Sequence, residues 1–147
     1  ISRREAPVKG LVDTNIILDL LLDRSPHAKA AAQIFALIER NVVSGYLCAT
    51  TLTTVHYLAT KVVGRTESLD EIGKLLRLFE VAPVNRSVLQ GALEAEGFVD
   101  FEDAVLHEAA RQVDAVALVT RNERDFKKAV LTVYGPNELV NILAAQQ

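Results

Sequence analysis

Val8-Lys9-Gly10-Leu11-Val12 is a short, mostly apolar run that stops on Asp13, and an apolar helical pattern (Ile16, Ile17, Leu18, Leu20, Leu21, Leu22) begins at once. A strand that hands over directly to a helix opens a β-α unit. In an open parallel sheet, ligands and chemistry collect outside the carboxyl ends of the strands. A carboxylate at that point therefore sits at the rim of the sheet and not in its core. Any other acid that matters chemically has to reach Asp13.

The rest of the chain alternates in the same way. Asp23-Arg24-Ser25-Pro26 breaks the first helix, with Ser25 the expected N-cap and Pro26 the first position of the next. That helix carries Ala31, Ile34, Phe35, Leu37 and Ile38 at helical spacing. Gly45 is expected to open a strand over 46–49. The Thr-rich run Thr50-Thr51-Leu52-Thr53-Thr54 leads into a helix through Val55, Leu58, Ala59 and Val62, which Gly64 ends. Ser68-Leu69-Asp70-Glu71 has capping-box form and predicts a helix start. Residues 81–84 contain Pro83 and belong at a sheet edge. Helices follow over 86–96 and from Asp100, then a strand over 116–120, a polar turn over 121–128, a strand over 131–134 and a closing helix over 138–145. Strands separated by helices imply βαβ units and a mostly parallel sheet. No repeat, low-complexity tract or linker divides the chain, so 8–145 reads as one α/β domain.

At 147 residues with a 50% apolar share, a single domain of this size buries roughly 70% of the surface its unfolded chain exposes. Cys48 is the one cysteine, which excludes an internal disulfide or a cysteine zinc site. A reducing, cytoplasmic compartment is the expectation. No apolar stretch approaches the length of a membrane span. Residues 1–7 are polar and basic and are expected to form an N-terminal extension or a processing remnant outside the fold. A net charge of −3 argues against a bulk electrostatic nucleic-acid binder. It does not argue against a nuclease, whose clustered acids make the total negative while local basic residues hold phosphates.

Two further acidic stretches repeat the opening layout. Asp100-Phe101-Glu102-Asp103 places three acids in one helical turn. Asp100 and Glu102 suit a helix start, where the N-cap and the dipole favour them. Asp103 precedes Ala104, Ala109 and Ala110 on a closely packed helix, and a carboxylate there is costly unless solvated, paired or bound to a cation. Val119-Thr120-Arg121-Asn122-Glu123-Arg124-Asp125-Phe126 again gives an apolar strand, a polar strand end and an acid just beyond it. Acids converging from Asp13, Asp103 and Asp125 are what a hard divalent cation such as Mg²⁺ or Mn²⁺ requires: oxygen ligands, with waters completing the shell. Such an ion polarises a phosphoryl oxygen and acidifies a bound water. Arg121, Arg124, Lys127 and Lys128 stand beside the last acid, either to hold phosphates or as a solvated basic face. His27, His56 and His107 are scattered singly, with no zinc spacing. Neither a phosphate loop nor a nucleophile elbow is present. A haloacid dehalogenase-type phosphatase would want an acid where Asn15 stands.

Leu11-Val12-Asp13-Thr14-Asn15, Asp100-Phe101-Glu102-Asp103-Ala104 and Val119 to Phe126 resemble, in order, the signature blocks of the PIN domain family, which includes the VapC-type toxins of toxin–antitoxin pairs. The resemblance implies a Rossmann-like three-layer α/β/α fold with about five strands in the order 3-2-1-4-5. It implies a Mg²⁺ or Mn²⁺ site on Asp13, Asp103 and Asp125, with Asp100 and Glu102 as further acids and Asn15, Thr120 and Asn122 in support. It also implies single-strand-specific endoribonuclease activity on RNA, a cognate antitoxin and a homodimer. Apolar surface at Ala30-Ala31-Ala32 and Val42-Val43 is the expected place for such partners. One departure stands out. The family's Glu early in the helix after the second strand falls here on Thr54 or a near neighbour. Either Asp100 or Glu102 compensates, or the domain is a degenerate module that binds RNA or a protein without cutting.

Overall fold

A computed structural model describes residues 6–146, so all but the last two residues of the expected N-terminal extension lie outside it. Strand β1 (Val8–Val12) runs through the middle of the sheet, parallel to β2 (Val43–Cys48) on one side and β4 (Ala117–Val119) on the other. The outer strands are β3 (Glu80–Ala82), beside β2, and β5 (Thr132–Tyr134), beside β4. The order is β3-β2-β1-β4-β5 with every pair parallel, as the family resemblance implies. After β1 the chain winds outward to β3, then returns to the other side of β1 for β4. The strand order reverses between β1 and β4, and at such a point the connections diverge and leave a crevice at the carboxyl edge.

Side chains alternate between the two faces of the sheet, as strand geometry demands. Val12 and Val119 point into one core with α1 (Thr14–Leu21), α2 (Ala28–Glu39), α3 (Ala49–Val63), α4 (Arg65–Leu78) and α7 (Pro136–Ala145). Leu11 and Leu118 point into the other, against α5 (Arg86–Glu94) and α6 (Phe101–Gln112). Burial on both faces explains why β1 and β4 read as continuous apolar runs.

Four local expectations need correction. Helix α2 starts at Ala28, with His27 and not Ser25 at its N-cap. The preceding turn is set by Arg24, whose carbonyl accepts the His27 and Ala28 N–H groups. Gly45 lies inside β2 and does not open it: a Cβ there would stand 2.7 Å from Ile38 Cδ1 and 2.8 Å from Phe79 Cδ1. Glycine is present because α2 and the end of α4 press against the strand. Ser68 caps nothing. Helix α4 begins at Arg65 after Gly64 (φ 88°), and buried Ser68 meets His56 Nδ1 at 2.8 Å. Finally, of the stretches expected at the surface, Ala30, Ala31 and Val43 are buried, while Ala32 is exposed and Val42 half-buried. Exposed apolar side chains on α3 and α4 are Tyr57, Leu58, Val62, Leu69 and Leu76, and others lie elsewhere, among them Leu89 and Leu93 on α5 and Phe101 on α6.

The Gly45 contact yields a direct expectation. Phe79 is braced edge-on by Phe35, with ring centroids 5.3 Å apart, so neither neighbour can swing away cheaply. Gly45→Ala should destabilise the fold by about 1–3 kcal/mol, whereas Gly10→Ala, whose added carbon would meet Val43 at an ordinary 3.6 Å, should not. Urea unfolding midpoints of the two variants check this.

Candidate active site

Asp13 follows the last residue of β1 and is the N-cap of α1. Its backbone N–H donates to the Val119 carbonyl (2.9 Å), which carries the β1–β4 pairing one step past the strand. The side chain is only 7% exposed, yet both oxygens are engaged. Oδ1 accepts the Thr14 N–H at 2.7 Å, and Oδ2 accepts the Thr120 hydroxyl at 2.7 Å with a longer approach from Asn15 Nδ2 at 3.4 Å. Thr120 Oγ1 in turn accepts the Asn122 N–H at 3.0 Å. That bond occupies a lone pair of the hydroxyl and leaves its proton for Asp13. Thr120 and Asn122, marked as supporting residues, therefore act in series on one carboxylate. Asn15 Oδ1 is buried and has no hydrogen-bond partner among the described residues, although a buried amide oxygen normally finds one.

The other acids arrive from two separate elements. Asp100 caps α6, accepting the Glu102 N–H at 2.9 Å, and Glu102 and Asp103 occupy that helix's first turn. Asp125 stands on a 3-10 turn, Glu123–Phe126, which buried Phe126 pins to the core. Asp13, Asp100, Glu102, Asp103 and Asp125 line one cleft of about 300 Å³ at the carboxyl edge of the sheet, together with Asn15, Arg24, Arg121 and Asn122. Arg124 lines neighbouring depressions with Asp125. Lys127 and Lys128 line none of these, and the stem of Lys128 lies over Gly97.

Burial, and after it the crowding of like charge, raises the pKa of three of these acids. Asp103 is pushed up to about 7, first by burial and then by the charges of Asp13, Asp100, Asp125 and Glu102. Burial also raises Asp13, against the lowering effect of the Thr120 hydroxyl and the Thr14 N–H. Glu102 is raised by burial and by Asp100 and Asp13. Among the described residues no group of three or more His, Cys, Asp and Glu side chains is placed to hold a metal ion by itself. The donor set nonetheless fits a hard cation that keeps several waters, because such an ion needs only one or two protein carboxylates. The orphaned Asn15 oxygen and the mutual repulsion of the acids point the same way.

Thr54 does not line the cleft. Thr51 of the same run is fully buried and meets Thr14 Oγ1 at 2.9 Å, next to Asp13. The histidines stand apart: His56 meets Ser68, and His107 Nε2 accepts the Val130 N–H at 3.0 Å. Burial and then Arg111 hold His107 below its usual pKa, which suits a neutral acceptor. Sequence reasoning missed Asp19, a buried acid paired with both Arg24 and Arg121.

The pKa of Asp103 sets a stability dependence for the metal-free chain. Its folded pKa exceeds the ordinary carboxylate value, so the protonated form favours folding, and that contribution is lost as pH rises through about 7. In chelator, the melting temperature should fall by a few degrees between pH 6 and pH 8, a small effect because water screens a half-exposed group. Asp103→Asn should flatten the slope. Scanning calorimetry across that range checks it, and an unchanged slope in the variant would assign the titration elsewhere.

Comparison with known proteins extends these observations. The family model described as "PIN domain" matches residues 9–124. "Ribonuclease VapC1" of Aquifex aeolicus (strain VF5) is 24% identical over 122 residues, covering 80% of this chain and 83% of that protein. Among solved structures, VapBC2 from Rickettsia felis bound to a promoter DNA fragment superposes with a TM-score of 0.68 at 16% identity, covering 87% of this chain and 98% of its own. A toxin–antitoxin complex from Klebsiella pneumoniae gives a TM-score of 0.66 at 24% identity, over 86% of this chain and 97% of that one. At these identities the solved structures speak to the fold.

Proposed function

The chain belongs to the PIN domain family, and from that premise we propose that it is a metal-dependent endoribonuclease of the VapC type, hydrolysing phosphodiester bonds of single-stranded RNA as the toxin of a toxin–antitoxin pair. The observation that carries this reading is the meeting of acids from α1, α6 and the 3-10 turn in one cleft at the reversal of strand order. The name of the Aquifex relative and the toxin–antitoxin complexes among the solved relatives support it.

Asp13 and Asp103 would hold Mg²⁺ or Mn²⁺, directly or through water, and Asp125 with Asp100 or Glu102 would position the attacking water or a second ion. A bound divalent cation supplies a polarised phosphoryl oxygen and a water acidic enough to attack near neutral pH. The chain's own groups do the rest. Thr120 and Asn122 fix the orientation of Asp13, and Asn15 keeps a free amide oxygen at the cleft wall. Arg121, and Arg124 beside it, face the incoming backbone with charge that offsets the developing negative charge on phosphate. Thr51, through Thr14, is the Thr-block residue that reaches this end of α1.

An antitoxin and a second copy of the chain are the proposed partners, and the exposed apolar residues of α3 and α4 offer surface for one of them. Among the described residues no helix is long and apolar enough to cross a membrane, and a cytoplasmic location belongs to the same proposal. The threonine in place of the family's Glu favours a second reading, a domain that binds RNA without cutting it.

Incubation of the protein with single-stranded RNA separates the two. Cleavage should occur with Mn²⁺, stop with chelator and vanish in Asp13→Asn. Thr120→Val, which removes only the support of Asp13, should lower the rate about 10–100-fold with the circular dichroism spectrum unchanged. RNA binding without cleavage by the native chain would establish the second reading.

A further inference from the structure

Asp19 stands on the second turn of α1 at 1% exposure. A buried carboxylate needs one cationic partner, and Asp19 has two. Oδ1 accepts Arg24 Nε at 2.9 Å and Arg121 Nη2 at 3.1 Å, while Oδ2 accepts Arg121 Nε at 2.7 Å. Arg24 Nη2 also donates to the Asn15 carbonyl at 3.2 Å. The two arginines come from distant parts of the chain, one just beyond α1 and one just beyond β4. Both line the acidic cleft, and their side chains keep 39% and 29% exposure.

A brace between α1 and the turn after β4 would need only one arginine. Two arginines on one acid leave a surplus positive charge, and it sits at the cleft wall. Each guanidinium is fixed through Nε and Nη2, so each keeps its Nη1 group uncommitted among the described residues. A guanidinium anchored on one edge and free on the other is preorganised for a second forked acceptor, with little side-chain freedom left to lose.

We propose that Arg24 and Arg121, aligned by Asp19, form a two-guanidinium grip for a phosphate of single-stranded RNA beside the acid cluster, with Asp19 as a positioning residue. The proposal rests on the reading of the cleft as a phosphodiester site. It adds Arg24 and Asp19, neither of which lies in a recognisable basic or acidic block, and moves the phosphate contact away from Lys127 and Lys128.

The test measures binding of a short fluorescein-labelled single-stranded RNA by anisotropy in Mn²⁺ over a salt series. It uses the Asp103→Asn background to prevent cleavage. Arg40→Gln serves as the comparison, because Arg40 precedes β2 and so lies at the amino edge of the sheet, away from the cleft. Arg24→Gln should weaken binding about tenfold, the weight of a charge-assisted hydrogen bond. It should also reduce the slope of log affinity against log salt by about 0.7, the share of one phosphate on a single strand. Arg24→Lys should restore the slope but not the full affinity, since an ammonium cannot fork. With the acid cluster intact, Arg24→Gln and Asp19→Asn should raise KM for cleavage far more than they lower kcat. If Asp19→Asn fails to fold, partly exposed Arg24 carries the test alone.

Arg24→Gln matching Arg40→Gln in affinity, slope and KM would overturn the grip and leave the nuclease reading standing. The expected slope loss in a chain that never cleaves would support the grip while the nuclease reading fails. No RNA binding by any variant, together with no cleavage by the chain with its acid cluster intact, would overturn both.

Discussion

The hydrogen bond from Thr120 to Asp13 is the contact on which the functional end of the molecule depends. It joins the ends of β1 and β4, the two strands between which the order of the sheet reverses, across a sequence separation of 107 residues. Without it, Asp13 would be a buried carboxylate satisfied mainly by its own helix cap. With it, the acid is fixed in orientation, and the hydrogen bond lowers its pKa against burial, which raises it. The pairing of β1 with β4 brings the hydroxyl to the carboxylate, so the site is a consequence of strand register.

The one cleft holds two charged clusters, and Arg121 and Asp13 act on each other between them. On one side, acids from α6 and the 3-10 turn crowd Asp13, and burial with that crowding raises Asp13, Glu102 and Asp103. On the other, Arg24 and Arg121 converge on Asp19, whose charge they more than cancel. The first cluster favours a cation and the second an anion, as the proposed phosphodiester chemistry requires. Crowding like charges costs stability in the metal-free chain, and a bound cation would relieve it. The fold tolerates the arrangement because the acids occupy helix starts, where N–H groups and the dipole favour negative charge.

Much of this was legible in the chain. Asp13, the Asp100 to Asp103 block and the Thr120 to Asp125 block announce themselves as polar ends of apolar elements, and the parallel pairing follows from strand and helix alternation, whereas the strand order is implied only by the family resemblance. What stayed hidden has physical causes. Asp19 sits in an apolar helical run where a lone acid reads as solvent-facing, and Arg121 lies 102 residues away. Thr51 was not separable from Thr50, Thr53 and Thr54, because only the packing of α3 on α1 decides which hydroxyl meets Thr14. Gly45 and Ser68 were misread for a shared reason: a local turn or cap signal was outweighed by a tertiary contact, with Ile38 and Phe79 in one case and His56 in the other. Spacing along the chain showed that several acids end elements, but the sheet order brings them to one cleft.

These acids are proposed to act together to hold a divalent cation. Titration of Mn²⁺ into the metal-free protein at pH 7, by calorimetry in two buffers of different ionisation enthalpy, tests it most directly. Saturable binding should release protons, because Asp103 is pushed up to about 7 and must be ionised to serve as a ligand. That release should shrink in Asp103→Asn. A native chain that gives no saturable heat would contradict the account.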